Sequence, residues 1–168
     1  MRLELLRMKE QDQSVRDELN KNPRDSKVKR KMKRIDSRNS ARMREILRRH
    51  GWPGRSLVGE DGTFAAALIV LHAPEVEFKK HCLSLLEHAA TNGDLSWEFF
   101  AMLTDKIEIA EGRKQLFGTQ FKADALSIMP IHDEINVDRS RKDLGLSSLT
   151  EYKRHVRKVL GPRTPSRR

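Results

Sequence analysis

Two stretches of this chain repeat apolar residues at 3-4-3-4 spacing, and each repeat carries a polar residue where a core side chain should stand. The first runs Leu5, Met8, Asp12, Val15, Leu19; the second runs Val28, Met32, Ile35, Asn39, Met43, Ile46. That spacing places each set on one face of an α-helix. The chain is therefore expected to open with two amphipathic helices that turn Asp12 and Asn39 inward. Burying a carboxylate or an amide without partners costs several kcal/mol. Arg16 lies one turn after Asp12, and Asp36 borders the second stripe. The interior is expected to hold polar groups that form a site.

Punctuation residues divide the rest. The first helix is expected over residues 2–20, ending near Asn22-Pro23. The second should run from Ser26, as N-cap, to His50, stopped by Gly51 and Pro53. Residues 50–62 read as a glycine-rich loop with Trp52, Leu57 and Val58 as anchors to the core. Thr63–Ala73 is short and apolar on nearly every side, which predicts a buried central helix. Residues 75–90 predict a fourth helix with Phe78, Cys82, Leu85, Leu86 and Ala89 inward. Asp94 or Ser96 can cap a fifth that reaches Glu111, with Phe99, Met102 or Leu103, Lys106 and Ala110 as its stripe.

The helical pattern breaks between Arg113 and Asn136, where the runs Leu116–Phe121 and Leu126–Ile131 suit a hairpin or an ordered loop. Loops of about twenty residues are uncommon in compact domains and are often functional. A last helix is expected over Ser148–Leu160, followed by a disordered basic tail at 161–168. The fold class that follows is all-α: a single helical domain over 1–160, about six helices, with a long irregular or hairpin insertion near the C-terminus.

The 168 residues carry a formal charge of +10, and the excess is local. Lys27–Arg49 contains eleven basic residues against two acids. Such density can attract a phosphate backbone or another acidic partner, or simply be solvated. No paired Cys/His finger spacing accompanies it, and the single tyrosine offers little for base stacking. The longest apolar run, Phe64–Leu71, falls far short of the ~20 residues a bilayer span needs, so no membrane association is expected. The lone cysteine, Cys82, excludes an internal disulfide and a thiolate cluster, and a reducing cytoplasm is the expected location.

Chemistry has three candidate positions. His72 ends an apolar helix, and an enclosed imidazole can serve as general base or proton shuttle because its ordinary pKa of ~6.5 lies near neutrality. It can equally be a core histidine satisfied by one carboxylate or carbonyl. Asp12 and Arg16 suit an i, i+4 ion pair; as a site, the guanidinium would clamp a substrate carboxylate or phosphate while Asp12 orients it. Asp36 and Asn39 join them as weaker members, and Trp52 as a ligand-facing aromatic. Gly118-Thr119-Gln120 and Pro130-Ile131-His132-Asp133 lie in the irregular segment. There Gln120 offers a carboxamide, and Asp133 a carboxylate that could orient His72 or His132. Six histidines occur without H-E-x-x-H or E-x-x-H spacing, and His81 and His88 lie too far apart along one face to share an ion. No phosphate loop, dinucleotide glycine motif or nucleophile elbow is present, and no cofactor is expected.

In this ordered series the chain resembles an uncharacterised domain-of-unknown-function family of bacterial proteins. The resemblance covers roughly residues 3–155. It rests on Asp12-Gln13, Val15-Arg16, Asp36 with Asn39, Gly51-Trp52-Pro53, Ser56-Leu57-Val58-Gly59, Ala65-Ala66 and His72-Ala73. It continues through Gly118-Thr119-Gln120, Pro130-Ile131 with Asp133, Val137-Asp138, Arg141 and Gly145-Leu146. The family pattern has Gln-His-Ala-Asp where this chain has Leu71-His72-Ala73-Pro74, Asp-Arg at Asp105-Lys106, and Tyr before the Gly-Thr-Gln where Phe117 stands. The resemblance implies a common fold and site and names no reaction.

The functional expectation is a small helical enzyme acting on a small organic or peptide-derived metabolite by acid/base chemistry, hydrolysis or cyclisation, with specialised-metabolite biosynthesis as a setting. His72, Asp12 and Asp133 would be catalytic; Arg16, Asp36, Asn39, Trp52 and Gln120 would bind substrate. The alternatives are a non-catalytic module that binds a ligand or a protein, and nucleic-acid binding through the basic helix.

Overall fold

The computed structural model describes residues 1–122 and 127–160, with the backbone alone at Leu160. The expected tail at 161–168 and the start of the run at Leu126 lie outside the described residues. Among those described there are seven helices and no strand, so the fold is all-α. They are α1 (Arg2–Lys21), α2 (Ser26–His50), α3 (Arg55–His72), α4 (Val76–Thr91), α5 (Trp97–Ala110), α6 (Val137–Asp143) and α7 (Leu149–Leu160). None is long and apolar enough to cross a membrane. Tertiary contacts group the chain into two units, Met1–Phe99 and Phe100 onward.

In the first unit α1 packs on α2 and α3, and α3 also packs on α2 and α4. The two interrupted stripes are the reason. Leu5, Met8 and Val15 of α1 are buried with Val28, Met43 and Ile46 of α2, and Asp12 and Asn39 are buried among them at 1% and 2% exposure. Asp25, rather than Ser26, caps α2: its carboxylate accepts from the backbone N–H of Lys27 and Val28. A cap of that kind contributes about 1 kcal/mol.

The expected loop before the central helix is partly helical. α3 starts at Arg55, and Gly59 breaks it with φ 73 and ψ 172 before the apolar stretch resumes. Val58 is buried, whereas Leu57 is half exposed. The preceding turn is pinned twice. Thr63 Oγ1 donates to the Pro53 carbonyl at 2.8 Å. Gly54, the N-cap, sits so close to the Asp94 carboxylate that a Cβ there would lie 2.5 Å from its oxygen.

In the second unit the buried face of α5 comprises Ala101, Leu103, Thr104, Asp105 and Ile107; Leu103 is inward as spacing predicts, whereas Lys106 and Ala110 are not buried. The reason is Asp105, fully buried. Its Oδ1 accepts from the backbone N–H of Leu116 (2.7 Å) and Phe117 (2.9 Å), and its Oδ2 from the N–H and Oγ1 of Thr119 (both 2.8 Å). Burial pushes the Asp105 carboxyl upward, and these four donors oppose it. One side chain thereby shapes the whole 116–119 turn. Gly118 is required there by its φ of 71, a backbone conformation that L side chains rarely adopt.

The irregular segment pairs only through isolated bridges, Gln115 with Ile131 and Phe121 with Ile128. Buried Gln115 ties it together, donating to the carbonyls of Gln120 (3.1 Å) and Met129 (2.7 Å) and accepting from the Gln120 N–H (2.8 Å). The short α6 was not expected. It holds the buried Arg141, which donates to the carbonyls of Ser147 and Phe117 (both 2.7 Å) and stacks on the Tyr152 ring.

Asp105→Ala is expected to lower unfolding free energy by about 3 kcal/mol, because buried donors left without acceptors cost roughly 1–3 kcal/mol each and only some can be rehydrated. Urea denaturation at neutral pH measures it. A loss below about 1 kcal/mol would show that the turn finds other acceptors.

Candidate functional site

Four helices of the first unit deliver polar side chains to one place. α1 supplies Asp12, Gln13 and Arg16, α2 supplies Asp36, α3 ends on His72, and α4 follows directly. The i, i+4 relation sets Asp12 and Arg16 on adjacent turns of one face. His72 reaches them because the apolar stretch of α3 buries its length and leaves its last residue at the boundary, with a side chain 20% exposed.

Asp12 is the hub. Its two oxygens lie 3.0 and 2.9 Å from His72 Nδ1. Arg16 Nη1 lies 3.1 Å from Asp12 Oδ1, and Gln13 Nε2 donates to Oδ2 at 2.7 Å. The second arm of the same guanidinium, Nη2, donates to Asp36 Oδ1 at 3.0 Å. One arginine thus bridges two carboxylates of neighbouring helices.

The two carboxylates differ in environment. Burial works to raise the Asp12 pKa but is outweighed by the hydrogen bond and charge of His72, the charge of Arg16 and the Gln13 bond, so Asp12 is held below the usual carboxylate range. Asp36 moves the other way. Burial raises it, the nearby Asp12 charge adds to that, and Arg16 and His72 offset only part. A pair of acids whose environments separate their pKa values is an arrangement suited to distinct proton-holding roles.

The site extends onto α4 through residues that spacing alone did not single out. Buried Ser40 donates to Glu75 Oε2 at 2.7 Å, and Arg44 Nη2 lies 3.4 Å from the same oxygen. Lys79 is half buried, and desolvation pulls its pKa down against the opposing charges of Glu75 and Asp36. The available signals were the position of Glu75 three residues beyond His72 and the i, i+4 step from Glu75 to Lys79. Asn39, one turn after Asp36, donates from Nδ2 to the Met8 carbonyl at 3.3 Å and joins α2 to α1. Trp52 keeps a buried indole Nε1 with no acceptor among the described residues.

Gln120 and Asp133 belong to the second unit. Gln120 Nε2 donates to Thr119 Oγ1 at 2.9 Å, and its backbone is bound by Gln115. Asp133 accepts from the backbone N–H and Nδ2 of Asn136 at 3.2 and 2.8 Å, which hold its carboxyl low. Both side chains therefore have local structural duties. Among the described residues no group of three or more His, Cys, Asp or Glu is placed to hold a metal ion.

Residues 1–164 match the model of a family described as "Family of unknown function (DUF6624)", and the chain belongs to that family. No curated protein and no solved structure matches it.

Because the Asp12 pKa is lowered on folding, the stabilising effect of its charge is complete above the ordinary value of 3.8 and is lost as pH falls through the lower folded value. Asp12→Ala is accordingly expected to cost about 3 kcal/mol at pH 7, the lower end for breaking a buried pair, since Arg16 and His72 retain some solvent. The difference from wild type should shrink below about pH 4. Chemical denaturation at a series of pH values tests this; a gap that stays constant down to pH ~2 would show that the charge of Asp12 is not what holds the helices.

Proposed function

We propose that this member of the DUF6624 family is a small α-helical enzyme. It acts on a small organic or peptide-derived metabolite by acid/base chemistry centred on His72. The observation that carries the reading is the contact between a 1%-exposed Asp12 carboxylate and His72 Nδ1 at 2.9 Å. A carboxylate on Nδ1 selects the tautomer with its proton there, so Nε2 becomes the nitrogen that takes and returns protons. The same carboxylate stabilises the imidazolium that forms, as it does in other Asp–His pairs.

Roles follow from exposure. Asp12 is too deep to touch a substrate, so it is a positioning residue, and His72 together with Arg16 keeps it ionised. His72 is the group that meets the reacting atoms. In hydrolysis, Nε2 would accept a proton from the attacking water as its oxygen bonds to the substrate carbon, and would return that proton to the leaving group. In cyclisation, a nucleophile of the substrate itself would replace the water. Arg16, 21% exposed, and Asp36 lie where they could meet a polar substituent of the substrate.

A second reading has one observation in its favour. The buried indole N–H of Trp52 lacks an acceptor among the described residues, and an orphaned donor costs roughly 1–3 kcal/mol. A ligand carbonyl would satisfy it, which suits a module that binds without reacting.

The test is incubation of the full chain with mixed metabolites and short peptides, followed by mass spectrometry. His72→Gln is the comparison, because glutamine retains a donor for Asp12 and should preserve the fold. Removal of a general acid/base is expected to slow conversion by about 100-fold or more, with cooperative melting retained. Equal conversion by both proteins would remove His72 from the chemistry. Ligand retention without conversion by either would favour the binding module.

A further inference from the structure

The cations of α2 are unequally partnered, and the inequality is spatially ordered. Toward the C-terminal half, Arg42 pairs with Glu4 and Glu45, Arg44 with Glu75 and Arg49 with Glu45, while Arg38 donates to Gln11. Lys31 pairs with Glu18. By contrast Lys27, Lys29, Arg30, Lys33 and Arg34 are all exposed and make no ion pair among the described residues. Glu75, which pairs with Arg44 and accepts from Ser40, lies against the later part of α2.

Helical geometry places these five on one side. At about 100° per residue they cover an arc of roughly 160°, centred opposite the direction of Val28, Met43 and Ile46. Farther along, Ser37, Ala41 and Arg48 continue the same face, whereas Arg44 pairs with Glu75 and lies over the Phe78 ring of α4. From Lys27 to Arg48 it extends about 32 Å, close to the ~34 Å of one duplex turn.

The face is also chemically narrow. From Lys27 to Arg34 it has no apolar or aromatic side chain; farther along, Ala41 lies on it and Leu47, at its edge, is buried. It lacks anything to stack on single-stranded bases, to insert among acyl chains, or to form the desolvated anchor of a protein–protein interface. What it offers is a cluster of exposed cations without ion-pair partners among the described residues.

We infer that the outer face of α2, Lys27–Arg34 above all, docks the phosphate backbone of double-stranded nucleic acid without reading its sequence. This inference is independent of the chemistry assigned to His72, which lies on another helix.

Fluorescence anisotropy of the full chain with labelled duplex DNA and duplex RNA, across about 50–300 mM KCl, tests it. Five phosphate contacts predict a slope of log K against log salt of about −4 to −5 on DNA. Lys29→Glu/Lys33→Glu is expected to reduce the slope by about 2 and to weaken binding at least tenfold. The control, Arg139→Glu/Lys142→Glu, changes net charge equally on exposed residues of α6 and should stay within about twofold of wild type. Equal weakening by both variants would reduce the effect to net charge and overturn the assignment. So would absence of duplex binding at the lowest salt, or tighter binding to single strands or to anionic vesicles. A preference for one duplex identifies the source of the backbone and leaves the docking face as assigned.

Discussion

The first unit depends on how one buried carboxylate is satisfied. Asp12 occupies a core position of α1, and an isolated charge there would be prohibitive. Its partners come from three directions: Arg16 from its own helix, Gln13 from the adjoining residue, and His72 from the end of α3. Since His72 can reach Asp12 only if α3 ends where it does, the polar contact sets the register of α3 against α1. Arg16 then extends the constraint to α2 through Asp36. Three helices are fixed relative to one another by a cluster that also concentrates titratable groups.

The second unit satisfies a buried aspartate by other means. Asp105 is bound by backbone N–H groups and one hydroxyl, with no cation among the four donors. Backbone donors carry no net charge, and the result is a turn held on the Asp105 carboxylate. Arg141 is its counterpart of opposite sign, a buried guanidinium spent largely on carbonyl oxygens. The Gly118-Thr119-Gln120 segment, which looks like a recognition element in sequence, is where these bonds converge. Its glycine fits under Leu149 and its threonine serves Asp105.

That contrast explains what the sequence made legible. Asp12 and Asn39 could be placed inward because helical periodicity is local, and a polar interruption in a long apolar stripe is visible without knowing the partner. The capping of α2 by Asp25 and the helical turn before Gly59 were misread by a few residues, since Ser26 is also a good cap and glycine also reads as loop. Asp105 was hidden for a different reason: its donors lie eleven to fourteen residues downstream on a turn with no periodicity. α6 was hidden because its seven residues contain one apolar side chain, Val137, and its other buried member is an arginine. Of the site, Asp12, Arg16, Asp36 and His72 could be found from spacing and position. Ser40, Glu75 and Lys79 could not, because what distinguishes them is a set of side-chain contacts between α2 and the start of α4.

The charge of the cluster gives its chemistry a direction. Asp12 and Asp36 contribute two negative charges when ionised, and Arg16 contributes one permanent positive charge shared between them. Lys79, half buried, faces Asp36 and Glu75 with a further positive charge. Of the two acids, Asp36 is the one whose carboxyl is pushed up and takes a proton more readily, while Asp12 is held low. A substrate anion approaching Arg16 would add negative charge and favour the proton's retention; a departing anion would favour its release. On the proposed acid/base reading, that dependence would couple proton transfer at His72 to the charge of whatever occupies the site.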